Sequence, residues 1–222
     1  MAMISTSLKF LEEIKNNNNR EWFLANKDLY LEAKEEFEKL VAKIIIEISK
    51  FDSSISTLQA KDCTYRQYRD VRFSKDKTPY KVHMGAYINP GGKKINTPGY
   101  YIHIEPNNKS IFGGGFWEPP KDDLKKVRQE IDYNLIEWEK IIRNKKITNS
   151  FPSGLSTQGA LKRNPAGYDL ENPAIEYLKL KSFIMSHSFS DVELLNKNLA
   201  KEVSKHAFNL KPVLDFLYKA LD

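Results

Sequence analysis

The 222-residue sequence predicts an α+β fold: an antiparallel sheet of about four strands with helices packed mainly on one face. Three observations carry this. Residues 5–50 repeat apolar side chains at helical spacing, residues 64–116 change to Tyr, Val, Ile and Phe alternating with polar residues, and helical spacing returns after Pro119. With no internal repeat and no Gly/Ser-rich linker, the order predicts a single domain over 1–222, with N-terminal helices at 5–50, a strand-rich centre at 64–116 and a helical C-terminal part at 120–222.

The elements follow in order. Ser5, Thr6 and Ser7 offer N-caps to a short helix carrying Leu8, Leu11 and Ile14, which the Asn16–Asn19 run stops. Asn19 caps a turn with Trp22 and Phe23; Leu29, Ala33, Phe37, Leu40, Val41, Ile44 and Ile48 then mark one stripe of a long amphipathic helix. In Lys81–Asn89 the apolar Val82, Met84, Ala86 and Ile88 oppose Lys81, His83, Gly85, Tyr87 and Asn89, the period of a half-buried strand. Asn89-Pro90-Gly91-Gly92 turns the chain, and in Tyr100–Glu105 Ile102 and Ile104 oppose Tyr101, His103 and Glu105. Pro106-Asn107-Asn108 turns into a strand at Ser110–Phe116. Leu124, Val127, Ile131, Leu135, Trp138 and Ile142 trace a helix with a break near Asp132–Asn134. Residues 147–169, rich in Ser, Gly, Asn and Pro, predict a long loop that could act as a lid. A helix capped by Asn172 follows, then a return strand in Lys181–Phe189, a capping box at Ser190 and Glu193, and a last helix starting at Pro212.

Composition narrows the class. At 41% hydrophobic and 29% charged residues, the chain has enough apolar surface for a core, which excludes disorder as a description of the whole. Apolar runs such as Ile44-Ile45-Ile46 fall far short of a membrane span, mean hydropathy is −0.55, and Met1–Phe10 carries no secretory signal pattern. The single Cys63 forms no internal disulfide. These features predict a cytoplasmic protein without a membrane partner; they leave its oligomeric state open.

The net charge of +6 is unevenly spread: residues 61–81 hold seven cations and three aspartates. Arg66, Arg69 and Arg72 recur every third residue among tyrosines. Arg binds phosphate and carboxylate through its planar fork, so the stretch is either an anion site or an internal salt network with Asp62, Asp70 and Asp76. Gly113-Gly114-Gly115 offers backbone donors to an anion, or close backbone packing; it matches neither a P-loop nor a dinucleotide fingerprint, and no cofactor is expected. His83 and His103 are the only candidates for proton transfer. With Glu105 they resemble a two-His, one-carboxylate ligand set, yet no tight ligand spacing supports it, and no metal is expected. His206 sits on a predicted helix as a surface residue, and Cys63 reads as an inert buried thiol.

Four blocks resemble a widespread, mostly bacterial family, domain of unknown function 2461. They are Asn17-Asn18-Asn19-Arg20-Glu21-Trp22-Phe23, the Tyr68–Lys81 block Tyr-Arg-Asp-x-Arg-Phe-Ser-x-Asp-Lys-x-Pro-Tyr-Lys, Gly113–Pro119 (Gly-Gly-Gly-x-Trp-x-Pro), and Lys162-Arg-Asn-Pro-x-Gly-Tyr-Asp169. The resemblance implies one family-length domain and supplies no activity and no catalytic residue. The blocks mix charged, aromatic and glycine residues, which favours a ligand site over a purely structural motif.

The combined reading is a site for a small ligand bearing phosphate or carboxylate on the polar face of the sheet. Arg69, Asp70, Arg72, Lys77, Lys81, Gly113, Gly114, Gly115, Trp117 and Arg163 are its binding candidates, and His83 and His103 its catalytic ones. Whether it is an enzyme stays open. The alternatives are a nucleic-acid-binding module with Tyr65, Tyr68, Tyr87 and Tyr101 as stacking platforms, or a protein-interaction domain whose Arg/Asp network is structural.

Overall fold

The computed structural model of the chain describes residues 4–222, so the first three positions of the N-terminal stretch read for a signal lie outside the described residues. The helices are α1 (Ser5–Asn16), α2 (Arg20–Ala25), α3 (Lys27–Ser49), α4 (Ala60–Cys63), α5 (Lys121–Tyr133), α6 (Leu135–Ile142), α7 (Lys145–Ser150), α8 (Ile175–Leu178), α9 (Asp191–Leu194) and α10 (Leu199–Lys219). Strands β1 (Met84–Ile88), β2 (Gly99–Ile104), β3 (Ser110–Phe116) and β4 (Phe183–Phe189) form one antiparallel sheet in the order β1-β2-β3-β4. The fold is α+β, as the alternation of periods implied.

The chain divides into two compact units. The first comprises the described residues up to Lys94 with Tyr101–Phe112 and Ser188–Lys205; the second comprises Ile95–Tyr100, Gly113–His187 and His206–Asp222.

In the first unit, α3 buries Ala33, Phe37, Leu40, Val41, Ile44 and Ile48 of the stripe the sequence marks, adds Ile45, and leaves Leu29 half-buried. Helix α1 buries Phe10, Leu11 and Ile14. Its serines do not cap it. The helix begins after Ile4, and the Ser7 hydroxyl donates instead to Ala33 O on α3 (2.9 Å) while its N–H donates to Glu36 Oε2 (2.7 Å). A buried Ser needs a partner, and α3 supplies it. Asn19 does cap α2, accepting from Trp22 N. Strand alternation holds through β2 and most of β1: Met84, Ala86, Ile88, Ile102 and Ile104 are buried, and Tyr87, Tyr101 and His103 stay part-exposed, whereas Val82 is only half-buried and Gly85 and Asn89, expected on the polar face, are buried. Between β2 and β3, Asn107 and Asn108 both take positive φ, as a tight hairpin requires. Asp191, at the start of α9, accepts from both of their N–H groups. The capping box at Ser190 and Glu193 closes in both directions.

In the second unit, Trp138 is fully buried and packs on Phe216 at 4.9 Å and edge-on against Phe183 at 6.4 Å. Asn134 breaks the helical run between α5 and α6, at the expected place. Lys145–Ser150 is helical, capped by Asn144, so the irregular segment starts later than expected. Asn172 caps no helix directly; it accepts from Ala174 N ahead of α8. Pro212 does not start a helix but lies inside α10, where Leu210, Val213, Leu214 and Leu217 are all buried. Burying those side chains, roughly 1.5–3 kcal/mol each, outweighs a helix-interior proline of about 3 kcal/mol.

Candidate functional site

The cation-rich block Tyr68–Lys81 is not a strand; it is a loop of the first unit closed by an isolated antiparallel bridge between Tyr68 and Tyr80. Arg69 N donates to Pro79 O and Lys81 N to Gln67 O, both at 2.9 Å, so residues 70–78 project as an excursion. At its root, the Tyr80 ring stacks on Phe23 at 4.1 Å and Tyr68 packs edge-on against Phe23 at 5.6 Å. Asn18 closes the root from outside: its amide donates to Tyr80 O (2.9 Å) and its carbonyl accepts from Tyr80 N (3.0 Å). The Asn17–Phe23 block and the Tyr68–Lys81 block are therefore one joint.

Within the excursion the charges pair with one another. Arg69 bonds Asp76 and the Thr78 hydroxyl, Arg72 grips Asp70 through Nε (2.9 Å) and Nη2 (2.6 Å), and Lys77 Nζ donates to Val71 O (2.9 Å). The Thr78 N–H, with Arg69, holds the Asp76 carboxyl down to about 2, and Arg72 lowers Asp70. Asp70, Asp76 and Arg72 are solvent-exposed, so these pairs shape the loop more than they stabilise the fold. Phe73 at the tip is 96% exposed.

Lys81 departs from this pattern. Its backbone carbonyl, like that of His83, accepts from the buried Gln67 amide. Its ammonium lies 5.2 Å over the Tyr65 ring and has no hydrogen bond or ion pair among the described residues. Burial, then Arg66, lowers its pKa. Two residues on, the His83 ring stacks on His103 of β2, centroids 4.2 Å apart and planes within 24°. His103 bonds Tyr101 Oη through Nδ1 (3.2 Å) and Glu105 Oε2 through Nε2 (3.0 Å). Burial, then the neighbouring His103 and Lys81, pushes His83 down to about 4. Burial, then Tyr65, pushes Tyr101 up to about 12. Gly85 leaves room for the Tyr101 hydroxyl, which a Cβ would approach to 2.8 Å. Lys81, His83, Tyr101, His103 and Glu105 thus form one half-buried polar cluster, the face the alternation identified.

The model of the family described as "Conserved hypothetical protein (DUF2461)" matches residues 6–216, which includes all four blocks. The chain belongs to the DUF2461 family. A Staphylococcus epidermidis protein described as "Uncharacterized lipoprotein" is similar at 34% identity over 89 residues, covering 36% of this chain and 35% of that protein. The chain thus spans about a third of that relative's length. No solved structure matches. Among the described residues, no helix is long and apolar enough to cross a membrane.

The remaining motif residues of this DUF2461 chain belong to its second unit. Gly113, Gly114 and Gly115 lie inside β3, within the strand expected at Ser110–Phe116. A Cβ on Gly113 would run into Met185 O and one on Gly115 into Phe183 O, and Gly115 has φ +127°, so these glycines serve close strand approach. Trp117 is half-exposed, and Arg163 is exposed in the irregular stretch ahead of α8. Neither belongs to the unit that holds Lys81, His83 and His103. A groove of about 540 Å³ lined by Lys140, Asn144, Lys146, Phe208, Asn209 and Lys211 contains none of the candidates. His206, expected at the surface, is half-buried: it stacks on His187 at 3.9 Å and meets Phe151 edge-on. Cys63 is buried, and burial followed by Asp62 pushes its thiol up to about 11. Sequence reasoning missed Asn18 and Gln67 as positioning residues; Asn18 lay inside a recognised block, whereas nothing in the pattern marks Gln67.

Proposed function

We propose that the polar cluster of the first unit binds a small anionic ligand, bearing phosphate or carboxylate, with Lys81 as its anchor. One observation carries the reading: Lys81 is a half-buried ammonium without a counter-ion, while Asp70 and Asp76 are already taken by Arg72 and Arg69. A half-buried ammonium held over an aromatic ring is partly desolvated, and a ligand oxygen would provide the counter-charge. Arg66, whose charge acts on Lys81, adds positive potential on the same side. The Tyr65 ring borders the position, 5.2 Å from the ammonium. Arg69, Asp70, Arg72 and Lys77 support the adjoining loop in this reading and do not touch the ligand.

The test is a thermal-shift and calorimetric screen with inorganic phosphate, sugar phosphates and dicarboxylates. A ligand at about 100 times its Kd adds about 2.7 kcal/mol of stability, a readily measured rise in Tm. Lys81→Met removes that rise and Arg72→Ala preserves it. Absence of any stabilising anion, or retention of the response in folded Lys81→Met, overturns the reading.

A further inference from the structure

We propose that His83, His103 and Glu105 form a site for one first-row divalent cation of the Zn2+ class. Each residue offers one ligand atom, and the three atoms lie within 4.8 Å of one another. His103 and Glu105 are held by β2 and its end at alternate positions, and His83 is brought to them across the strand pair. No tight spacing exists along the chain because the site is assembled across strands.

Three details favour an ion over a mere polar cluster. First, His103 Nε2 and Glu105 Oε2 stand 3.0 Å apart. Two atoms about 2.1 Å from one tetrahedral ion are about 3.4 Å apart, so this pair needs only a few tenths of an ångström of movement to span one coordination edge. Secondly, neither ring nitrogen of His83 has a hydrogen bond among the described residues, although the ring is held against His103. Both nitrogens are therefore open to an entering ion without displacing a protein partner. Thirdly, Tyr101 Oη engages Nδ1 of His103, which leaves Nε2 as the ligand atom, as partners behind metal-bound histidines do.

The donor set decides the class of ion. Two imidazole nitrogens and one carboxylate oxygen suit Zn2+ and its first-row neighbours, and do not suit Mg2+ or Ca2+, which prefer oxygen. Three protein ligands leave coordination positions open. Lys81 and Lys109, the latter 3.6 Å from Glu105 Oε1, oppose a bare cation and favour one that carries an anion in an open position. In that respect the site deepens the anion reading above, although ion binding does not depend on it.

The metal-free protein is titrated with Zn2+ alone by calorimetry and with Co2+ by visible absorption, no anionic ligand being added. One ion per chain is expected. His83→Ala and His103→Ala each weaken binding by more than the roughly 10- to 100-fold typical of losing an outer partner, Tyr101→Phe weakens it by about that factor, and His187→Ala leaves it unchanged. Zn2+ should also move the ring-nitrogen NMR signals of His83 and His103 in the unmodified protein, a readout that needs no variant to fold. No saturable binding, undiminished binding in folded His83→Ala, or ring signals moving only at His187 and His206 overturns the proposal. Phosphate binding without ion binding removes this inference alone; ion binding without any anion response removes the anion reading alone.

Discussion

Asn18 and Tyr80 exchange two hydrogen bonds across 62 residues of sequence, the Asn18 amide serving both polar groups of one backbone position. An amide side chain used this way mimics a strand neighbour, and it pins the root of the Arg-rich excursion to the turn before α2. Asn18→Ala removes both bonds and leaves two backbone groups less well satisfied. The expected destabilisation is about 1–3 kcal/mol, from roughly 0.5–1.5 kcal/mol per bond, measured by urea unfolding. An unchanged midpoint would show that water replaces the side chain fully.

Asp76 sets the acid response of the excursion. Its folded carboxyl titrates at about 2, held down first by the Thr78 N–H and then by Arg69. A depressed carboxyl contributes stability that is present above its unfolded value of about 3.9 and is lost as pH falls through about 2. A carbon-detected NMR titration of the Asp76 carboxyl should show this low midpoint. Arg69→Ala should raise it without returning it to the unfolded value, because the backbone donor remains.

The parts of this molecule that were legible in the sequence are those set by local periodicity. Alternation gave the buried Met84, Ala86, Ile88, Ile102 and Ile104 because a strand has period two whatever its neighbours do; Val82, before β1 begins, is only half-buried. The stripe in α3 was legible for the same reason at period 3.6. What escaped was decided by partners far along the chain: Ser7 turned to α3 and Pro212 was absorbed into α10, while for Gly113–Gly115 close packing was one of two open readings, met by β4 backbone at Gly113 and Gly115 and by β2 backbone at Gly114. The site divided likewise. That His83 and His103 share a polar face followed from alternation, whereas their stacking depends on strand register, which no local pattern encodes. The Arg block was visible as charge, yet its pairing with Asp70 and Asp76 was one of two open readings until the loop geometry was known.

Paired arginines have a further consequence for nucleic acids. Arg69 and Arg72 are occupied by carboxylates, and the Tyr101 hydroxyl is committed to His103. A polyanion would have to break those pairs to gain phosphate contacts. Fluorescent single- and double-stranded oligonucleotides at about 50 mM salt should therefore show no saturable anisotropy change, the condition under which a multi-phosphate binder is strongest. Saturable binding that weakens steeply with salt would favour the nucleic-acid reading instead.

Cys63 should be inert in the folded protein. With the thiol at about 11 and the side chain buried, thiolate at pH 8 is a minute fraction and is shielded from reagent. Alkylation by iodoacetamide at pH 8 should be negligible over hours and should become complete in denaturant. Fast alkylation without denaturant would mean that α4 opens readily.

Glycine substitutions separate close approach from conformational need. At Gly113 a Cβ meets Met185 O, a backbone atom that cannot swing away, so Gly113→Ala must force β3 and β4 apart. At Gly154 a Cβ meets nothing within 4 Å, and the only cost is a φ of +65°. Gly154→Ala should cost about 1–2 kcal/mol, the left-handed penalty for an L-residue. Gly113→Ala should cost more than the roughly 1–3 kcal/mol of ordinary overpacking, since the clash is with main chain. Thermal or urea midpoints of the two variants, measured side by side, provide the comparison. Equal losses at both positions would mean that the two strands part with little resistance at this point of the sheet.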